Sequence, residues 1–214
     1  MALVGKQFPN LDVNAMNEMG DTFKINVLEE AKNNNKKVVL FWYPKDFTFV
    51  CPTELHAFQA AQAEFEKRNT IVIGASCDTA EVHFAWLSTS KDNGGIEGVT
   101  YPILADSNRN LASALDILDI TEGQFNEETG LYTVEGDNVT YRATYIIDEE
   151  GTIQHESINN MPLGRNVNEY LRIIDALTHV QEKGEVCPAN WEEGKDAMQA
   201  NAKGTAEYLK AHLN

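Results

Sequence analysis

Apolar residues fall into two rhythms along the 214-residue chain. "KKVVLFWYP", Lys36 to Pro44, is a continuous apolar run rich in valine and aromatics, the pattern of a strand buried on both faces, and Pro44 ends it. From Pro52 to Arg68 the apolar positions Leu55, Phe58, Ala61 and Phe65 recur every three to four residues. That spacing predicts an amphipathic helix, with Pro52 in the first turn where its missing N–H costs nothing. "TIVIGAS", Thr70 to Ser76, predicts a second buried strand, and "TAEVHFAWLSTS" a helix with Thr79 as N-cap. "TYPILAD" reads as a short strand and "NLASALDIL" as a short helix. "YRATYIIDEEGTIQHESI" predicts two alternating strands around a Glu150-Gly151 turn, and "NVNEYLRIIDALTHVQ" a helix with Val167, Leu171, Ile174 and Leu177 inward. The stretch Asp119 to Asn138 has no strong period and predicts a long loop or a small hairpin.

The element order is strand–helix–strand–helix, then hairpin, then helix. It implies an α/β fold with a central mixed β-sheet flanked by helices, one half parallel and the other antiparallel. After Gly184 the sequence turns polar and glycine-punctuated. The expected organisation is a domain over residues 1–183 and a C-terminal arm over 184–214.

Composition narrows the partners. The formal charge is -16, from 33 acidic against 17 basic residues, and such a surface repels nucleic acid and anionic membranes. No segment approaches ~18 continuous apolar residues, and "MALVGKQFPNLDV" lacks the pattern of a signal peptide, so the expected compartment is the cytosol. Three cysteines, Cys51, Cys77 and Cys187, in a reducing compartment argue against a structural disulfide framework. There is no C-x-x-C and no paired metal spacing. Redox catalysis and inert buried thiols are the remaining readings.

Cys51 sits in "YPKDFTFVCPTE", at a strand-to-helix junction in the first turn of the predicted helix. Unpaired N–H groups and the positive end of the helix dipole favour a thiolate there. Making thiolate the main form at neutral pH takes roughly 3–4 kcal/mol. A helix terminus supplies at most ~2 kcal/mol, so a nearby cation or hydroxyl must supply the rest. Thr48, three residues earlier, can point its hydroxyl at the sulfur, and Pro44 can stiffen and shield the loop. Arg142 is the best cation: it opens an apolar strand where a charge is hard to explain as surface decoration, and Glu54 could hold it in place. On spacing alone, a catalytic Cys51 and a buried structural one are equally supported.

"DFTFVCPTE" resembles the peroxidatic motif of the peroxiredoxins, with its P-x-x-x-T/S-x-x-C core at Pro44, Thr48 and Cys51. "EVCPANW", Glu185 to Trp191, resembles the resolving-cysteine motif of the typical two-cysteine subgroup, and "RATYIIDEEG" the strand bearing the family's active-site arginine. "TAEVHFAW" and "LGRNVNEYLR" extend the likeness through nearly the whole chain. The resemblance implies a thioredoxin-like fold and a thiol-dependent peroxidase acting on hydrogen peroxide and organic hydroperoxides. It implies that Cys51 attacks the peroxide and becomes a sulfenic acid, with Thr48 and Arg142 holding the peroxide oxygens. Glu54 would orient arginines, and Arg165 would be the second arginine of that network. Cys187 of a second subunit would close an intersubunit disulfide in a homodimer that assembles into a decamer. Thioredoxin or a flavoprotein disulfide reductase would restore the thiols, with no bound cofactor or metal.

Cys77 and His83, as C-x5-H, are only two ligands and make no zinc site. His56 and His83 read as helix-face residues, Trp86 as a wall of the active site or a plain core residue, and Trp191 as an anchor for the arm. Two stretches depart from the family pattern. Asp119 to Asn138 is longer than the usual loop, and "AEYLKAHLN" lacks the Tyr-Phe pair that caps overoxidation-sensitive members, although "DNGGIEG" keeps their Gly-Gly. Resistance to overoxidation is the expectation. A thioredoxin-type disulfide oxidoreductase is disfavoured by the missing C-x-x-C, and a holdase or peroxide-relay role is the non-enzymatic alternative.

Overall fold

The apolar run after Lys36 becomes the strand at the middle of the sheet. In a computed structural model that describes residues 2–120, 123–134 and 136–212, it is β3 (Lys37–Trp42), every residue of which is buried. The chain divides into two compact units, Met1–Arg165 and Asn166–Asn214.

The first unit holds β1 (Asp12–Met16), β2 (Thr22–Asn26), α1 (Val27–Asn34), β3, α2 (Cys51–Ala60), α3 (Gln62–Lys67), β4 (Thr70–Ser76), α4 (Ala80–Leu87), β5 (Ile103–Ala105) and α5 (Asn110–Ala114). They are followed by β6 (Gln124–Asn126), β7 (Leu131–Thr133), β8 (Arg142–Ile147) and β9 (Ile153–Asn159). Seven strands form one mixed sheet in the order β2-β1-β5-β4-β3-β8-β9. The β5, β4 and β3 centre is parallel, and antiparallel strands extend it at both ends. The expected mixed sheet is present, with its parallel part in the middle and not in one half.

Several elements differ from the reading of the sequence. The β1–β2 hairpin and α1 were not foreseen, because their strands are short and only one face is covered. The predicted helix from Pro52 to Arg68 is two helices, broken at Ala61 where the backbone leaves helical geometry (φ -92, ψ 0). β8 does not alternate. It lies between β3 and β9 and is buried throughout, whereas β9, an outer strand, has mixed exposure. The stretch from 119 to 138 contains a hairpin, β6 with β7, although residues 121, 122 and 135 lie outside the described residues.

Strand alternation decides what meets the start of α2. Val38, Leu40 and Trp42 of β3 point into the main core with Ala143, Tyr145 and Ile147 of β8. The opposite face carries Phe41, whose ring stacks on Phe58 of α2 at 3.9 Å between centroids and meets Tyr101 edge-on at 5.6 Å. Phe41 pairs with Thr144 in register, so Thr144 and Arg142, two residues apart, share this α2-facing side.

The second unit consists of α6 (Val167–Lys183), an irregular segment and α7 (Ala202–His212). The composition change at 183/184 marks the end of α6, while the compact units divide before it, at 165/166. Along α6, Val167, Tyr170 and Ile174 are buried, and Leu171 and Leu177 are only half-buried. α7 forms in the tail, where the pattern is only weakly helical, and residues 213 and 214 lie outside the described residues.

Candidate active site

Cys51 is the first residue of α2 and is wholly buried. Pro52 occupies the first turn, and Thr53 and Glu54 close it with backbone bonds to the Val50 carbonyl at 3.1 and 3.3 Å. Glu54 lies one turn along, and two arginines converge on its carboxylate. Arg142 Nη1 donates to Glu54 Oε2 at 2.6 Å and to Cys51 Sγ at 3.3 Å. Arg165 donates from Nε to Oε1 at 2.8 Å, from Nη2 to Oε2 at 2.9 Å and from its backbone N–H to Oε1 at 3.0 Å.

The rest of each guanidinium is also held. Arg142 Nε donates to the Met161 carbonyl at 2.6 Å. Arg165 Nη1 donates to Ala143 O at 3.0 Å and Thr144 Oγ1 at 3.2 Å, and its guanidinium carbon lies 5.2 Å from the centre of the Phe41 ring. All three charged side chains are at most 4% exposed. Two cations and one anion leave one positive charge buried beside the sulfur. Such a charge is costly in an apolar surround unless an anion meets it, so the site favours negative charge on an atom placed there.

The other loop residues take places the sequence did not show. The Thr48 hydroxyl donates to Lys45 O at 3.0 Å, so its proton is spent on the loop and not on the sulfur. Its oxygen lone pairs remain able to accept a hydrogen bond. Pro44 is buried at the end of β3. Phe47 adopts a left-handed backbone (φ 54), which is costly for a bulky residue, and its ring lies 5.8 Å from Trp86. Trp86 is fully buried between this ring and Tyr43, and its indole N–H donates to Gly94 O at 3.0 Å.

His83 does not lie on an open helix face: it is buried, with Nδ1 2.8 Å from Asp46 Oδ2 and Nε2 3.1 Å from Leu104 O. A carbonyl can only accept, so Nε2 is the donor in the contact with Leu104 O. Tyr43 donates to the other Asp46 oxygen at 2.8 Å, and the Asp46 backbone N–H donates to Asp78 Oδ2 at 2.8 Å. Burial pushes the Asp46 carboxyl up, and the bond to His83 pulls it back down. This network ties the loop before Cys51 to β4 and α4. His56 is half-buried on α2, with Nε2 3.1 Å from Gly95 O. The segment beyond the β6–β7 hairpin also reaches the loop: Asp137 pairs with Lys45, and Thr140 Oγ1 donates to Tyr43 O at 3.1 Å.

All three cysteines are free thiols. Among the described residues no group of three or more His, Cys, Asp or Glu is placed to hold a metal ion. Both His83 nitrogens are engaged, which removes it as a ligand partner for Cys77. Burial, and then the Asp106 charge, push the Cys77 thiol up to about 12. About one part in 10⁴ of such a thiol is thiolate at pH 8. Iodoacetamide at pH 8 is therefore expected to leave Cys77 unmodified in the folded, reduced protein, read by peptide mass; rapid labelling there would contradict it. Because the folded value lies above the ordinary one, the stability linked to this group is present below about pH 9 and is lost as pH rises towards 12.

Cys187 lies in the second unit, half-buried, with Sγ 3.7 Å from Ala176 O of α6. Trp191 is buried there and donates to Lys195 O at 3.0 Å, and Arg172 Nη1 donates to the Trp191 carbonyl at 3.4 Å.

Comparisons with known proteins cover both units. The profile of the AhpC/TSA family matches residues 4–156, and that of the C-terminal domain of 1-Cys peroxiredoxin matches residues 176–211. Alkyl hydroperoxide reductase C of Helicobacter pylori is 41% identical over 212 residues, covering 97% of this chain and 96% of its own. Peroxiredoxin-2 of Bos taurus is 39% identical, covering 99% and 96%. The crystal structure of reduced Plasmodium vivax 2-Cys peroxiredoxin superimposes with a TM-score of 0.86 at 35% identity, covering 98% of this chain and all of that one.

Proposed function

This chain belongs to the AhpC/TSA family of peroxiredoxins, with its thioredoxin-like α/β fold, and on that basis we propose how its residues carry out thiol-dependent peroxide reduction. The chain is an enzyme of the alkyl hydroperoxide reductase C type. The observation that carries the reading is Arg142 Nη1, which touches both Cys51 Sγ and Glu54 and leaves a net positive charge at the sulfur.

Cys51 thiolate attacks one oxygen of the hydroperoxide. The S–O bond forms as the O–O bond breaks, the leaving oxygen takes a proton and departs as water or alcohol, and sulfur becomes a sulfenic acid. Arg142 favours the negative charge that develops on the oxygens in the transition state. Thr48 accepts a hydrogen bond from the peroxide through its lone pairs, its own proton being on Lys45 O. Glu54 and Arg165 hold Arg142 in place from behind, while Pro44 and Trp86 wall the loop.

Arg142→Met is expected to slow peroxide consumption by about 10²–10³-fold, the loss typical of one such donor. Initial rates of hydrogen peroxide loss test this, and a decrease of less than about threefold would remove Arg142 from the transition state.

Cys187 of a second copy then condenses with the Cys51 sulfenic acid, forming a disulfide and releasing water. An external dithiol, either thioredoxin or a flavoprotein disulfide reductase, reduces it, so no bound cofactor is required. A homodimer is supported by the place of β9, the outermost strand at its end of the sheet among the described residues, with Ile158 exposed. An edge strand can serve as a template for a second chain, and we place further association into a decamer on the same family basis. Among the described residues no helix is long and apolar enough to cross a membrane, and we propose a cytoplasmic enzyme. Cys187→Ser is expected to consume one equivalent of peroxide without reductant and to give no covalent dimer on a non-reducing gel. A covalent dimer in that variant would contradict the assignment.

A further inference from the structure

Cys187 is held between two contacts made by a single side chain. His179 of α6 places Nε2 3.0 Å from Glu185 Oε2, two residues before Cys187. Its ring meets the Trp191 ring, four residues after Cys187, at 5.0 Å between centroids. Between these points the Cys187 thiol faces Ala176 O, less than one turn back along α6. Further bonds join the segment to the rest of the arm. Val186 exchanges two backbone bonds with Met198 at 2.9 and 3.1 Å, and Gln199 donates to Glu185 at 3.4 Å, so these can travel with the arm. Arg172, through Trp191 O, and the long thiol contact also tie residues 185–191 to the helix.

We propose that His179 is a latch that parks the resolving thiol, so that its release limits disulfide formation but not peroxide attack. The proposal rests on the reading of Cys187 as the resolving residue of a second copy. A disulfide needs the two sulfurs at about 2.05 Å. Cys51 is wholly buried in its helix turn and Cys187 is half-buried against its own helix, so Cys51 must leave its turn and Cys187 its seat. The parked position also disfavours the reactive form, since burial pushes the Cys187 thiol up against the opposing pull of Arg172. Freed, Cys187–SH attacks Cys51–SOH: the S–S bond forms, the sulfenyl oxygen leaves with both protons as water, and no other oxidant is needed. His179 is a positioning residue and touches no reacting atom.

Its two contacts, a part-exposed hydrogen bond and a ring contact, together slow release by about fivefold. The test mixes reduced protein with one equivalent of hydrogen peroxide, quenches at intervals with acid, and measures remaining peroxide and covalent dimer separately. His179→Ala is expected to form dimer about fivefold faster than wild type at an unchanged rate of peroxide loss. Glu185→Gln, close to isosteric and acting from the other side, is expected to give a smaller acceleration. The double variant should add little to His179→Ala, because both changes break the same pair. General damage to the fold would slow both steps, so acceleration of one alone is specific to a latch. Dimer formation unchanged or slower in both single variants would overturn the proposal. Should wild type form no covalent dimer, or Cys187→Ser form it equally well, the reading of Cys187 fails without any His179 variant, and the latch with it.

Discussion

Cys51→Ser is expected to lose peroxide reduction by about 10⁴-fold or more, the scale on which enzymes fail when their nucleophile is removed. The surrounding charges are arranged for an anion: Arg142 and Arg165 against Glu54 leave one positive charge, and Arg142 Nη1 lies 3.3 Å from the sulfur. In the proposed mechanism a thiolate satisfies that charge and attacks the O–O bond. A serine hydroxyl keeps its proton at neutral pH and does neither. The replacement is similar in size and sits at a helix start that tolerates serine, so the fold is expected to persist. Initial rates of hydrogen peroxide loss, with circular dichroism and a thermal melt as controls, give the result. Consumption near the wild-type rate would take the chemistry away from Cys51.

Glu54→Gln is expected to destabilise the protein by about 3–5 kcal/mol, the cost of removing one partner from a buried ion cluster. Glu54 accepts four bonds: one from the Arg142 side chain, two from the Arg165 side chain and one from the Arg165 backbone. An amide offers one acceptor oxygen and turns an NH₂ donor towards a guanidinium, leaving two buried cations without an anion. For a chain of this length the melting temperature should fall by roughly 10 °C. Melts are to be compared at one protein concentration, because subunit association adds to apparent stability. A loss below about 1 kcal/mol would show that water reaches the arginines and that the cluster is not what orders the site.

Much of this was legible in the sequence where burial imposes a period. β3 and β4 were readable because they are covered on both faces, and α2 because Leu55 and Phe58 face one side. β1, β2 and α1 were not, since short strands with one covered face carry few apolar positions. Arg142 stood out as a charge on an apolar strand, and the register of Thr144 with Phe41 puts Arg142, two residues away, on the side facing α2. The motif resemblance supplied Arg165, but its bidentate grip on Glu54 and its place over Phe41 depend on tertiary packing.

The Asp46–His83 pair spans 37 residues and joins a loop to a helix, so no local period could reveal it. Asp46, two residues after Pro44, and a histidine in a helix whose only other charged residue is Glu81 were the available signals. The Met161 carbonyl that fixes Arg142 left no signal, because a backbone group has no residue type. Thr48 shows the converse: spacing suggests a hydroxyl aimed at the sulfur, whereas it donates to the loop's own Lys45 carbonyl.

The central claim is that Cys51 is the atom oxidised. Reduced Cys187→Ser protein, mixed with one equivalent of hydrogen peroxide and then dimedone, reports this by peptide mass. The account predicts one dimedone adduct on the peptide containing Cys51 and none on the peptide containing Cys77. Loss of peroxide with no adduct at Cys51, or with the adduct at Cys77, would contradict it.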